Sequence, residues 1–189
     1  MSNVNFKEDA DENIKLLYEK KEYCECLNQY KMGNQSFKSS TYILFALAAV
    51  ETRNYDMVKE FISNFLALDG QPTLLVETLI NKIKFVRELD DSKFNLLYSF
   101  VRRNCEIHWV YKQLSHAYEI SGNFTYAIKY IYIALQINPK DYWSNWTYCH
   151  LLLLSKQFIL LKNHLSLIRS YGFNYIDKFE NKINNNLLD

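Results

Sequence analysis

Apolar side chains recur along this chain at spacings of three and four, as in Leu44, Leu47 and Ala48 or in Ile128, Ile131 and Leu135. That spacing gathers them on one face of a helix, whereas a half-buried strand would alternate. Strong breakers are scarce, with 4 Gly and 2 Pro in 189 residues, which favours long helices joined by short connections. Those that occur mark plausible joints: Gly33, Gly70 followed by Pro72, Gly122, Pro139 and Gly172. The pattern predicts an all-α fold.

A second periodicity lies above the first. A polar turn, an aromatic residue and a small or aliphatic residue three places on recur as Tyr23 with Cys26, Tyr55 with Val58, Phe94 with Leu97, Phe124 with Ala127 and Phe158 with Leu161. The aromatics are separated by 32, 39, 30 and 34 residues, close to the period of about 34 expected when each unit is one pair of antiparallel helices. Such a pair cannot bury its shared apolar face alone, so neighbouring pairs stack to complete it. A single repeat domain is expected, with units over 8–34, 36–69, 72–104, 108–140 and 142–172. A polar capping helix over 174–188 would turn Tyr175, Phe179 and Ile183 inward.

The fourth unit is specific enough to resemble a known family. Tyr111, Leu114, Ser115 and Tyr118, followed by Gly122, Ala127, Ile131, Ala134 and Pro139, stand at the spacing of the tetratricopeptide repeat motif. Small residues there have a packing reason: Ser115 and Ala127 fall where the two helices come closest, and Ala134 where the next pair docks. Gly122 suits a tight turn because it accepts a left-handed backbone. Other units depart from the motif. Arg53 and Lys156 replace the turn glycine, Val58 and Leu161 replace the packing alanine, and the third unit has a longer charged joint over 88–91. The resemblance implies a right-handed α-solenoid of about five antiparallel helix pairs with a C-terminal capping helix. A neighbouring resemblance, to the repeat of prenyltransferase α-subunits, rests on Asn138, Pro139, Asp141, Tyr142 and Trp146, but the arginine usual after that tryptophan is missing.

Composition and charge narrow the function. Hydrophobic residues make up 49% and aromatic ones 16%, enough to build a core. Lys+Arg of 22 against Asp+Glu of 21 gives a net charge of +1, without the basic excess that drives nucleic-acid binding. The longest apolar run, 42–50, is about half of what a bilayer span needs. Glu8, Asp9, Asp11 and Glu12 stand where a signal peptide would be basic and then apolar, so a cytosolic or nuclear protein is expected. In that setting Cys24, Cys26, Cys105 and Cys149 are reduced, and the sequons at Asn34, Asn123 and Asn145 carry no sugar.

Chemistry for catalysis is not evident. His108, His116, His150 and His164 form no HExxH pair, and no glycine-rich phosphate loop is present. Cys24 with Cys26 and Cys105 with His108 suggest zinc only faintly; Cys26 aligns with Ala127 and is explained as a small packing residue. Arg102 and Arg103 complement the carbonyl end of a helix, and the leucines from Leu151 to Leu154 belong to a core. Neither a cofactor nor a metal is expected.

The tetratricopeptide resemblance implies a groove lined by the first helix of each pair. It would carry Trp109, Lys112, His116 and Glu119 in the fourth unit, Trp143, Trp146 and His150 in the fifth, and Glu77, Asn81 and Lys84 in the third. Exposed tryptophans suit an apolar or helical segment of a protein partner. The expected function is therefore a non-catalytic scaffold or adaptor, for instance within a membrane protein insertase or a ubiquitin-ligase assembly. The alternatives are an α-subunit-like partner of a prenyltransferase and a transient co-chaperone-like adaptor. Against the last, Ile43 and Leu47 put apolar residues where a chaperone-tail clamp needs polar ones.

Overall fold

The structure, a computed structural model, describes residues 3–32, 37–103 and 105–186. Gly33 and Asn34 lie outside these, as do the last residues of the expected capping segment. Among the described residues there are eleven α-helices and no strand: α1 Asn3–Glu19, α2 Tyr23–Met32, α3 Ser39–Glu51, α4 Tyr55–Ala67, α5 Leu74–Ile83, α6 Asp90–Arg102, α7 His108–Ile120, α8 Phe124–Ile137, α9 Tyr142–Leu154, α10 Phe158–Ile168 and α11 Ile176–Asn186. In chain order they follow as the pairs α1/α2, α3/α4, α5/α6, α7/α8 and α9/α10, with α11 as the cap; α5 and α6 pack chiefly on α3 and α4 rather than on each other. The chain divides into two compact units, Met1–Arg103 and Asn104–Asp189.

One backbone device closes four of the five hairpins. Lys21, Arg53, Gly122 and Lys156 all have positive φ, at 63°, 56°, 75° and 57°, each two residues before the helix that follows. In each turn the next N–H reaches back five residues: Glu22 to the Leu17 carbonyl, Asn54 to Ala49, Asn123 to Tyr118 and Gln157 to Leu152, at 2.8–2.9 Å. This left-handed cap satisfies carbonyls that the helix end leaves open. The residue after it begins the next helix at once; Asn54 and Asn123 accept from Met57 and Tyr126 main-chain N–H groups. Arg53 and Lys156 therefore adopt the glycine conformation despite their side chains. The third hairpin differs: a 3-10 turn, Arg87–Leu89, precedes α6, so Phe94 sits inside that helix rather than at its start.

In the first unit, α3 is buried from Ile43 through Ala49, which explains the apolar run as a helix surrounded by α1, α2, α4 and α5. An aromatic cluster, Tyr30, Phe37, Phe45 and Phe61, joins α2, α3 and α4, with Phe45 stacked on Phe61 at 5.3 Å. Asp11, from α1, caps α3 from outside. Its carboxylate accepts from the Thr41 hydroxyl and from the Lys38 main-chain N–H. Arg103 ends α6 by donating to the carbonyls of Ser99 and Gly70, at 3.1 and 2.8 Å. Cys26 is fully buried among these helices, and burial pushes its thiol up to about 12.

The second unit packs Leu114, Ala127, Ile131, Ala134, Cys149 and Leu161 into its interior. Leu151 and Leu152 are core, whereas Leu154 is 47% exposed. Tyr175, Phe179 and Ile183 of the capping segment are buried. No helix among the described residues is long and apolar enough to cross a membrane.

Candidate functional site

The face that the sequence singled out is best defined in the second unit, where side chains of α7 reach those of α9. On α7, His108, Lys112, His116 and Glu119 form one stripe at spacings of four, four and three. On α9, Trp143, Trp146 and His150 do the same. The stripes meet at both ends. At the start, His108 Nε2 lies 3.9 Å from the Asp141 carboxylate. Further along, the Glu119 carboxylate sits between two imidazoles, 3.6 Å from His116 Nδ1 and 3.7 Å from His150 Nε2.

The tryptophans have three different places. Trp109 is buried, so its ring belongs to the interior and is not offered on the surface. Trp146 is half-buried, stacked on His150 with centroids 5.0 Å apart and edge-on to Phe179 at 6.3 Å. Trp143 is 63% exposed, with the Tyr142 ring edge-on to it at 5.2 Å. Glu119 thus fixes His150, His150 fixes Trp146, and Trp143 continues the same stripe into solvent.

Asp141 sets the start of α9. Its carboxylate accepts from the Ser144 main-chain N–H at 2.7 Å. Burial opposes its ionisation, but donation from Ser144, with Lys112 and His108 nearby, outweighs this and holds the carboxyl below its ordinary range. Behind it, Asn145 is fully buried; its Nδ2 donates to the carbonyls of Pro139 and Asp141 at 2.8 and 2.9 Å. The Asn145 oxygen must then accept, so His164 donates to it from Nε2 at 2.9 Å. The stretch 138–146 is accounted for as this lock on the helix start, with the Tyr142 hydroxyl donating to Asn174 at 2.9 Å.

In the first unit, α5 carries Glu77 half-buried and Asn81 exposed, and Lys84, just past its end, is half-buried. Lys84 lies 4.9 Å above the Phe85 ring, and its carbonyl accepts from Lys93 at 3.0 Å. This unit has a further feature, a recess of about 330 Å³ between α1, α3 and the start of α5. Lys15, Tyr18, Glu19, Leu44 and Leu75 line it. The sequence reading missed these residues because the first pair has the weakest motif; the spacing of Lys15, Tyr18 and Glu19 on α1 was the available signal. The reading also missed His108 and Asp141 as members of the α7/α9 face. Among the described residues, no three His, Cys, Asp or Glu side chains group as metal ligands.

Neither a protein-family model nor a curated protein matches this chain. Solved structures do. A MamA structure from Desulfovibrio magneticus RS-1, spanning its residue 41 to the end, superposes with a TM-score of 0.61 at 11% identity, covering 87% of this chain and 96% of that one. A double mutant of RS-1 MamA gives 0.63 at 10%, covering 87% and 95%. MamA of AMB-1 gives 0.59 at 18%, covering 93% and 99%. At such identities the likeness speaks for architecture only, and with the hairpins described above it shows a tetratricopeptide-like helical-repeat fold.

Proposed function

We propose that this chain is a non-catalytic protein-interaction module, a scaffold or adaptor subunit, and that its five hairpins and cap act as one repeat domain. In this reading the α7/α9 face receives an apolar or helical segment of a protein partner. The observation that carries it is Trp143. A large ring 63% exposed beside an ordered Trp146–His150 stack is costly to leave in water and suits an anchor position. Lys112, His116 and Glu119 supply a polar border that fixes the orientation of what binds. Glu77, Asn81 and Lys84 offer a second contact within the first unit. An assembly in the cytosol or nucleus, such as a membrane protein insertase or a ubiquitin ligase, is the setting that fits.

The test is affinity purification of the tagged protein from its own cells, in parallel with Trp143→Ala and with a Tyr132→Ala control on α8. Stoichiometric partners that the control retains and Trp143→Ala loses, with unchanged helicity, support this face. Partners retained equally by all three proteins would remove the face from the interaction. A chain that elutes alone would remove the scaffold reading itself.

A further inference from the structure

Helix α10 is apolar on two sides. Leu161, Leu165 and Ile168 point into the core and are buried, yet Ile159, Leu160 and Leu167 are 78%, 48% and 66% exposed. Leu160 and Leu167 are seven residues, about two helical turns, apart, and Ile159 precedes Leu167 by eight with the exposed Asn163 between them, so the three side chains stand on one outer side of the helix. Large aliphatic side chains grouped on the solvent side of a helix mark a surface that something covers.

Along the chain, the charge near this stripe is mostly positive. From residue 120 to residue 176 the chain has a single acidic side chain, Asp141, which is 18% exposed and occupied at the start of α9. Over the same stretch Lys129, Lys140, Lys156 and Lys162 are all exposed. Lys156 stands at the N-terminal end of the α10 stripe and Lys162 along its flank; Arg169, beyond it, is paired with Glu180. Glu180 of α11 shares a recess with Lys162, so the positive border of the stripe is Lys156 at its start and Lys162 beside that carboxylate.

We propose that the outer face of α10 docks on an anionic lipid surface. The three aliphatic side chains protrude from a convex helix instead of lining a groove. A partner helix would need a complementary pocket for them, whereas the acyl boundary of a bilayer takes protruding side chains as they are. Lys156 and Lys162 would then sit among the headgroup phosphates. With 11 residues α10 is far short of a span and lies in the plane of the surface. The α7/α9 face is separate from this stripe and is left free for its protein partner.

The experiment is flotation of the whole chain with vesicles of phosphatidylcholine alone and of phosphatidylcholine carrying phosphatidylserine. Wild-type protein is expected to float with the anionic vesicles and to lose them as salt is raised. Ile159→Asp with Leu167→Asp should cut binding at least about tenfold while the far-ultraviolet spectrum and melting point stay unchanged. Lys156→Gln and Lys162→Gln should each weaken it by about fivefold. Equal flotation of wild type and the aspartate variant would overturn the proposal, as would no flotation with either vesicle. So would self-association or capture of an acidic helical peptide that the aspartate variant abolishes in a protein that ignores vesicles, because the stripe then belongs to another chain.

Discussion

The Ser115 hydroxyl donates a 2.8 Å hydrogen bond to the main-chain carbonyl of Ala127 across the α7/α8 hairpin, and both residues are fully buried. The two small side chains let the helices approach, and the hydroxyl uses the contact. The Ala127 carbonyl lies inside α8, so it retains a helical partner when the hydroxyl is removed. Ser115→Ala should therefore cost only about 1 kcal/mol. Ser115→Leu has no space to enter and should cost about 3 kcal/mol or prevent folding. Urea unfolding of both variants checks this; equal losses would mean that the site tolerates volume and that the close approach does not matter.

Lys156 holds a left-handed backbone, φ 57°, at the same turn position where Gly122 has 75°. A side chain there costs about 1–2 kcal/mol, and glycine gives back about 0.5–1 kcal/mol through its freer unfolded chain. Lys156→Gly should raise stability by roughly 0.5–1 kcal/mol, and Arg53→Gly likewise. Lowered melting temperatures for both would show that these lysine and arginine side chains contribute contacts that outweigh the backbone strain.

Those turns also show how far the sequence could be read. Period and aromatic starts were legible because Tyr23, Tyr55, Phe124 and Phe158 each begin a helix right after a polar turn. Arg53 and Lys156 looked like departures from the motif, since sequence alone does not reveal that a residue other than glycine is held at positive φ by the bonds around it. The third hairpin resisted for the opposite reason: its 3-10 turn displaces Phe94 into α6. For the candidate face, helical spacing placed Lys112, His116 and Glu119 on one stripe. It did not distinguish Trp109, which is buried, from Trp143, which is exposed, because burial depends on what packs across from each ring. The α10 stripe is not legible in the sequence because Ile159 and Leu160 share an apolar run with buried Leu161, and Leu167 adjoins buried Ile168.

His164 is half-buried, lies edge-on to Tyr148 at 4.7 Å and donates to Asn145. Burial pushes its imidazole down to about 4 from the ordinary 6.5. The unfolded chain thus takes up a proton first as pH falls. Stability is full above pH 6.5 and declines between there and about pH 4, where the folded form also protonates. The loss should approach about 3 kcal/mol, at about 1.4 kcal/mol per pH unit. Comparing the wild type with His164→Gln across this window isolates the effect. Parallel stability curves for the two would mean that His164 titrates normally in the folded protein.

Trp143 and Trp146 stand three residues apart on α9 and should separate cleanly by stability. Trp143 is 63% exposed, so Trp143→Ala removes little buried area and should change stability by no more than about 0.5 kcal/mol. Trp146 is half-buried, stacked on His150 and edge-on to Phe179 of the capping helix. Trp146→Ala loses both ring contacts and part of the cover over α11, which should cost about 2 kcal/mol. Because Trp146 supports His150, and Glu119 contacts His150 in turn, the loss should also loosen the border of the face on which Trp143 stands. Partner binding should consequently fall in both variants, with stability falling only in Trp146→Ala. A Trp143→Ala protein that melts several degrees early would make that ring a structural element and take away the anchor on which the interaction site is argued.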